Sequence, residues 1–338
     1  MAKTVHRFLT LSAVFLLSCY QSFSQDYVEV CGVKWAKGNL TYDASSLGDE
    51  GFQTGWKLAD EQWKTVFLGH SSTAESHPID NSHLDHFNWG VVGDSVLDPT
   101  KRSLAPNRLG TVEIMGKVYI DDCVTEYNQA DKFDNPNITY GDLAYWASRG
   151  RYKLPTVEHY NALIDEASQQ YGYYLATPTD SVYGVLFTTP VGQRAVSFSP
   201  RAISQAEIDK GLFLPLNGSG RKNANFIGTR GYYASSNSYH IIGNFVVRGE
   251  VNLLRVGPEG AYWLAWSTSL GFLMRPVVCA EQGDVNEDGS VDVTDVILML
   301  NRITGLGTGY INTFYGDTDK DGAISVNDVV NLINNIVR

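Results

Sequence analysis

The sequence predicts an α+β protein in two parts: a strand-rich central domain with few helices, then a small all-α unit. Three observations carry this. Between Gln25 and Ala280 the chain alternates aromatics, glycine and asparagine in runs such as KVYIDDCV and NFVVRGEVNLLRV, which read as short strands joined by long loops. Helical periodicity in that region is confined to three short stretches. After Ala280, two acidic loops are each followed by apolar residues at helical spacing. The net charge of −11 argues against a nucleic-acid partner.

In chain order, residues 1–24 read as a secretory signal, with a basic start at Lys3 and Arg7 and an apolar run from Phe8 to Leu17. That run is too short for a permanent bilayer span, and no other segment approaches that length, so no transmembrane helix is expected. Two exits compete. Ser22 and Ser24 before Gln25 suit signal peptidase, while Leu16-Leu17-Ser18-Cys19 resembles a lipobox that would leave Cys19 lipidated. Cleavage before Gln25 is favoured, because Tyr-Gln-Ser-Phe after Cys19 is a poor flexible tether. Either exit places the protein outside a bacterial cytoplasm, secreted or at the cell surface.

Residues 25–280 follow as the central domain. Asp60 precedes a segment with Trp63, Val66 and Phe67 at helical spacing, and Thr156 caps a stretch with Val157, Tyr160, Leu163, Ile164 and Ala167 on one face. Ser204 with Glu207 makes a capping box for a third, short helix. Cys31, Cys123 and Cys279 remain after the signal, an odd number in an oxidising compartment. Cys31 and Cys279 lie at the two ends of the domain in β-like runs, and a disulfide between them would close it if those strands are neighbours. The alternative is that all three are buried, small apolar residues.

Residues 281–338 hold DVNEDGSVDVTD from Asp284 and DTDKDGAISVND from Asp317, two units of loop plus exiting helix spanning 284–305 and 317–338. Each loop sets oxygen ligands at positions 1, 3, 5, 7, 9 and 12 around a glycine at position 6, the pattern that wraps a hard divalent cation. The first offers Asp284, Asn286, Asp288, the Ser290 carbonyl, Asp292 and Asp295. The second offers Asp317, Asp319, Asp321, the Ala323 carbonyl, Ser325 and Asp328. An all-oxygen set selects calcium over zinc, and two ions are expected. Val291 and Ile324 at position 8 are placed to pair as a short bridge. Ten acidic side chains against three basic ones give this segment a net −7, so it is expected to fold only with calcium present.

Two half-hands 33 positions apart, without entering helices and with aspartate at position 12, resemble a type I dockerin. The resemblance implies a cohesin-type protein partner and calcium-dependent attachment. It places partner choice at loop positions 10 and 11, here Val293 and Thr294, Val326 and Asn327, with help from the exiting helices. The phrases KWAKGNLTYD, GWKLADEQW, FNWGVVGD, RYKLPTVEHYNALI, GLFLPLNGSGR, GTRGYYASSNSY and LGFLMRPV, in that order, resemble the Fibrobacter succinogenes major paralogous domain. That group is similar to the C-type-lectin-like fold of formylglycine-generating enzymes. It implies a compact domain whose first and last strands lie side by side, the geometry a Cys31–Cys279 bridge needs. The copper-binding cysteine pair of the formylglycine-generating branch is missing, since Cys279 has no second cysteine nearby.

No hydrolase or zinc motif occurs, and no catalytic residue is assigned. His70, His77, His83 and His86 with Asp80 and Asp85 read as a solvated polar loop ahead of a metal site. Tyr232, Tyr233, Tyr239, Trp263 and Trp266, in Gly/Ser/Asn-rich surroundings, form a possible platform for sugar rings. The leading expectation is therefore a secreted or surface binding protein, docked through its calcium module, with glycan or surface protein as ligand. Two alternatives stand beside it: a cohesin-docked hydrolase acting on glycosidic bonds, in which carboxylates such as Glu158 and Asp165 would act, and a calcium module that only stabilises the chain end.

Overall fold

The computed structural model describes residues 27–49, 51–67, 77–97, 139–220, 223–237, 250–268, 270–279, 281–286, 290–306, 311, 313–319 and 323–337, with short strands at 111–114, 117–120, 240–242 and 245–247. The signal region with Cys19, and Cys123 and Tyr239, lie outside the described residues, as do Asp288 and Asp321. The protein is mixed and strand-rich with few helices.

The two ends of the central region meet in one sheet. The hairpin of Tyr27–Val30 and Val33–Ala36 is followed in strand order by Val277–Val278 and then Tyr152–Lys153, with Trp35 opposite Val277. Beside this lie a four-stranded sheet, ordered 196–202, 168–175, 181–188 and 212–215, and a six-stranded one that runs from Gly260–Ser267 through Glu250–Gly257 and Gly231–Ala234. Gly231–Ala234 is buried along its whole length because it divides two cores. Alternation does the dividing: Tyr232, Ala234, Val251 and Leu253 face a core built on Trp56, Phe87 and Trp89, whereas Tyr233, Leu254 and Val256 face one built on Trp35, Tyr160 and Phe187.

That burial corrects the aromatic platform. Tyr232 and Tyr233 are core residues, and the Tyr233 hydroxyl donates to the Pro215 carbonyl at 2.7 Å. Trp263 is half-buried, with its indole N–H on Asn161 Oδ1 at 2.8 Å and its ring edge-on to Tyr160. Of the described members, Trp266 lines an open cleft, with the buried Tyr232 behind it.

Two helices form where caps were read. Thr156 caps Val157–Asn161, which continues as a π-turn over Ala162–Glu166, and the Ser204–Glu207 box starts Gln205–Ile208. The third does not: residues 60–67 are turns and bends. Gln62 explains the difference. It is buried, its amide donating to the Ile208 and Gly211 carbonyls at 2.7 and 2.9 Å while its oxygen accepts from the Phe213 N–H at 2.9 Å, so tertiary bonds fix this segment in place of helical ones.

The terminal strands are neighbours, yet Cys31 and Cys279 are not bonded to each other. Cys31 sits in the hairpin turn at φ +50°, its N–H on Thr189 Oγ1 at 2.8 Å. Cys279 runs on beside Arg151, and its sulfur lies 3.3 Å from the Tyr315 hydroxyl. The hairpin turn thus carries one thiol past the strand while the C-terminal unit engages the other.

The C-terminal unit has its own core of Val285, Val296, Met299, Ile311, Val329 and Leu332, drawn from both repeats. Val291 and Ile324 pack against it and do not form a bridge, since the loops close on the shared core and not strand to strand. Among the described residues, one helical turn, Thr313–Gly316, precedes the second loop.

Candidate metal centre and exposed helix faces

The exiting helices span Val293–Thr304 and Val326–Ile336. Each begins on a capping box whose members are also loop positions 9 and 12. In the first, Asp292 accepts from the Thr294 N–H at 2.6 Å, and Asp295 Oδ2 accepts from the Asp292 N–H at 2.9 Å. In the second, Ser325 Oγ accepts from the Asn327 N–H at 3.1 Å, and Asp328 Oδ2 from the Ser325 N–H at 2.8 Å.

The other oxygen of each position-12 aspartate ties the loop's beginning to its end. Asp295 Oδ1 accepts from the Val285 and Asn286 N–H groups at 2.9 and 3.4 Å. Asp328 Oδ1 accepts from those of Thr318 and Asp319 at 2.8 and 3.2 Å. The short aspartate fits this role because its carboxylate stays beside the backbone it closes. Burial works to raise the Asp328 carboxyl. The Ser325 and Asp319 N–H donors and the Ser325 and Thr318 hydroxyls outweigh it and hold that group below the usual carboxylate range.

Ligand oxygens of Asp317, Asp319 and Asp328 lie within 4.8 Å of one another. Asp284, Asp295 and Asp328 are fully buried. Asp295 and Asp328 take neutral N–H and O–H donors, with no cationic side chain reaching either among the described residues. Buried carboxylates drawn together in a unit of net −7 call for a cation, and a set made only of oxygen suits a hard one. The residues present therefore fit calcium. Ser290 and Ala323 are exposed at the seventh loop positions, and Asn286 is half-buried beside Asp295.

Each helix is apolar on two faces. One carries Val296 and Met299, or Val329 and Leu332, into the shared core. The other leaves Val293, Ile297 and Leu300, and the equivalent Val326, Val330 and Ile333, between 41 % and 62 % exposed. Val293 and Val326 were singled out in the sequence, and Thr294 and Asn327 are exposed beside them. Ile297, Leu300, Val330 and Ile333 belong to the apolar residues at helical spacing after each loop. Their spacing marked a helix without showing which apolar positions the core would use.

Elsewhere, the histidines do not converge on a metal site among the described residues. His86 is buried with Nδ1 2.7 Å from Asp85 Oδ1 and Nε2 2.8 Å from the Asn217 carbonyl, so both ring nitrogens are engaged. Asp142 caps the helix Leu143–Ala147 and accepts from the Leu154 N–H at 2.8 Å.

Residues 282–337 match the dockerin type I domain family. No curated protein and no solved structure matches the chain. Type I dockerins bind calcium and imply a cohesin partner, and proteins carrying them are typically extracellular or attached at the cell surface. No helix among the described residues is long and apolar enough to cross a membrane.

Proposed function

We propose that this is a secreted or surface protein held on a cohesin by a C-terminal module loaded with two calcium ions, and that its central domain is a binding domain for glycan or surface protein. The first ion is held by Asp284, Asn286, Asp288, the Ser290 carbonyl, Asp292 and Asp295. The second is held by Asp317, Asp319, Asp321, the Ala323 carbonyl, Ser325 and Asp328. Bound calcium supplies the positive charge that lets these carboxylates approach one another. The chain's own residues do the rest: the capping boxes fix where each helix leaves its loop, and the shared core sets the two helices against one another.

The observation that carries this reading is the second apolar face on each helix. A module that only finished the chain would gain nothing from six exposed aliphatic side chains at matched positions, whereas a partner surface buries them. The test is capture of cohesin modules by the full chain with calcium and with chelator. Calcium-dependent capture that is lost in Val293→Asp with Val326→Asp supports docking, and its absence across a panel of cohesins would defeat it.

A second reading has its own support. Tyr315 is buried between the module and the central domain: the Lys153 ammonium lies 4.6 Å from its ring centre and donates to its hydroxyl at 3.1 Å. This contact supports a module that also stabilises the domain it follows.

A further inference from the structure

The hairpin of Glu250–Gly257 and Gly260–Ser267 places Arg255 opposite Tyr262, Leu253 opposite Leu264 and Val251 opposite Trp266. Tyr232 stands opposite Arg255 on the other side. The face shared by these residues ends in a cleft of about 420 Å³ bordered by Arg230, Arg255, Glu259, Tyr262, Leu264 and Trp266. That volume is within the range of small-ligand sites.

Arg255 is 4 % exposed. One edge of its guanidinium is satisfied, because Nη2 donates to Glu259 Oε1. The other is not: Nη1 is buried and has no hydrogen-bond partner among the described residues. A buried cationic donor left unpaired is costly, and the acceptor that matches a guanidinium edge best is a carboxylate. The Tyr262 ring lies over the guanidinium, 4.6 Å from Cζ, and is itself 39 % exposed at the rim of the cleft that both residues line. Arg230 brings a second guanidinium against Glu259 as the cleft's carboxylate, leaving it net positive within an acidic protein. Trp266, edge-on to Tyr232 at 5.0 Å, and Leu264 add an apolar wall.

We propose that this cleft binds an acidic saccharide, with the carboxylate of a uronic acid on Arg255 Nη1 and the sugar ring between Tyr262 and Trp266. The proposal rests on the reading of the central domain as a binding domain and names its ligand class. Positive charge alone would suit any anion. An aromatic and apolar wall beside the unpaired donor suits a pyranose ring that carries one carboxylate.

The test is calorimetric titration of the full chain, in calcium, with digalacturonate and with its methyl ester. Digalacturonate is expected to bind at least about tenfold more tightly than the ester, which keeps the ring and removes the charge. Arg255→Gln and, separately, Tyr262→Ala are expected to lose that preference. Tyr262 is at the rim, so its variant keeps the test valid if the buried substitution unfolds the hairpin, which thermal melting would reveal. Equal binding of acid and ester, or digalacturonate binding unchanged in Tyr262→Ala, overturns the proposal while leaving a glycan-binding domain intact. Absence of binding by both sugars overturns it as well. Binding of an acidic peptide at this cleft in place of the sugar would reassign the site to a protein ligand.

Discussion

Arg275 is fully buried and lies against neutral partners: Nε donates to Asn39 Oδ1 at 2.8 Å, Nη1 to Gln62 Oε1 at 3.1 Å and Nη2 to the Gln62 carbonyl at 3.0 Å. Burial pulls its pKa down to about 10, opposed by the nearby Tyr233 and Tyr160. Gln62 thus bridges the arginine to the strand Leu212–Pro215, and Gln62→Ala is expected to destabilise by about 2–4 kcal/mol in urea unfolding, because it orphans several buried groups at once. Glu207 gives a smaller, pH-dependent term. Its hydrogen bond with Arg201, then the Ser204 N–H, hold its pKa at about 2 against 4.5. The folded value is the lower one, so the stabilisation is complete above about pH 5 and is lost as the pH falls through 4.5 towards 2. The side chain is 37 % exposed, so Glu207→Ala is expected to cost only about 1 kcal/mol at neutral pH, with the gap from wild type narrowing between about pH 5 and pH 3. Equal deficits at both pH values would show that the loss comes from elsewhere.

At the scale of elements, the calcium loops and their helices are one device, since position 9 caps the helix and position 12 closes the loop. Asp284→Ala with Asp317→Ala is therefore expected to abolish the gain in helical circular dichroism on adding calcium to the full chain. A gain of unchanged size would separate helix formation from the loops. Gly283 shows why the chain enters the first loop without a helix: it has φ +104°, and a Cβ there would lie 2.5 Å from Leu332 Cδ1. Gly283→Ala is expected to lower calcium affinity severalfold by isothermal titration, because it strains the entry and displaces the core residue behind it. The loop pattern is legible in the sequence because the spacing of its oxygen side chains is local. The exposed apolar stripe of each helix is not. Val293, Val296, Ile297 and Leu300 form one broad apolar face on paper, and only the second repeat, by covering Val296 and leaving its neighbours, divides it.

Across the whole molecule the module is set directly on the central domain. Gly283 N–H donates to the Tyr315 carbonyl at 2.8 Å, Gln282 donates to the same carbonyl at 2.9 Å, and the Tyr315 side chain reaches Lys153 and Cys279. Lys153 lies in the strand paired with Val277, within the sheet that joins the ends of the domain. Calcium that orders the module should then stabilise the central domain too. Differential scanning calorimetry is expected to show the central transition rising with calcium in the wild type and much less in Tyr315→Ala; an equal rise in both would mean that the two parts unfold independently.

The sequence by itself determined the strand-rich class of fold, the dockerin type I segment and two of the capped helices of the central domain, all features encoded within a few adjacent residues. Tertiary structure decided the rest. Whether Tyr232 is surface or core, whether Gln62 lies in a helix, where the Cys31 and Cys279 thiols point and which stripe of each exiting helix meets solvent depend on what packs from distant parts of the chain. Burial is a property of the assembled layers, and a residue's own neighbours in sequence do not specify it.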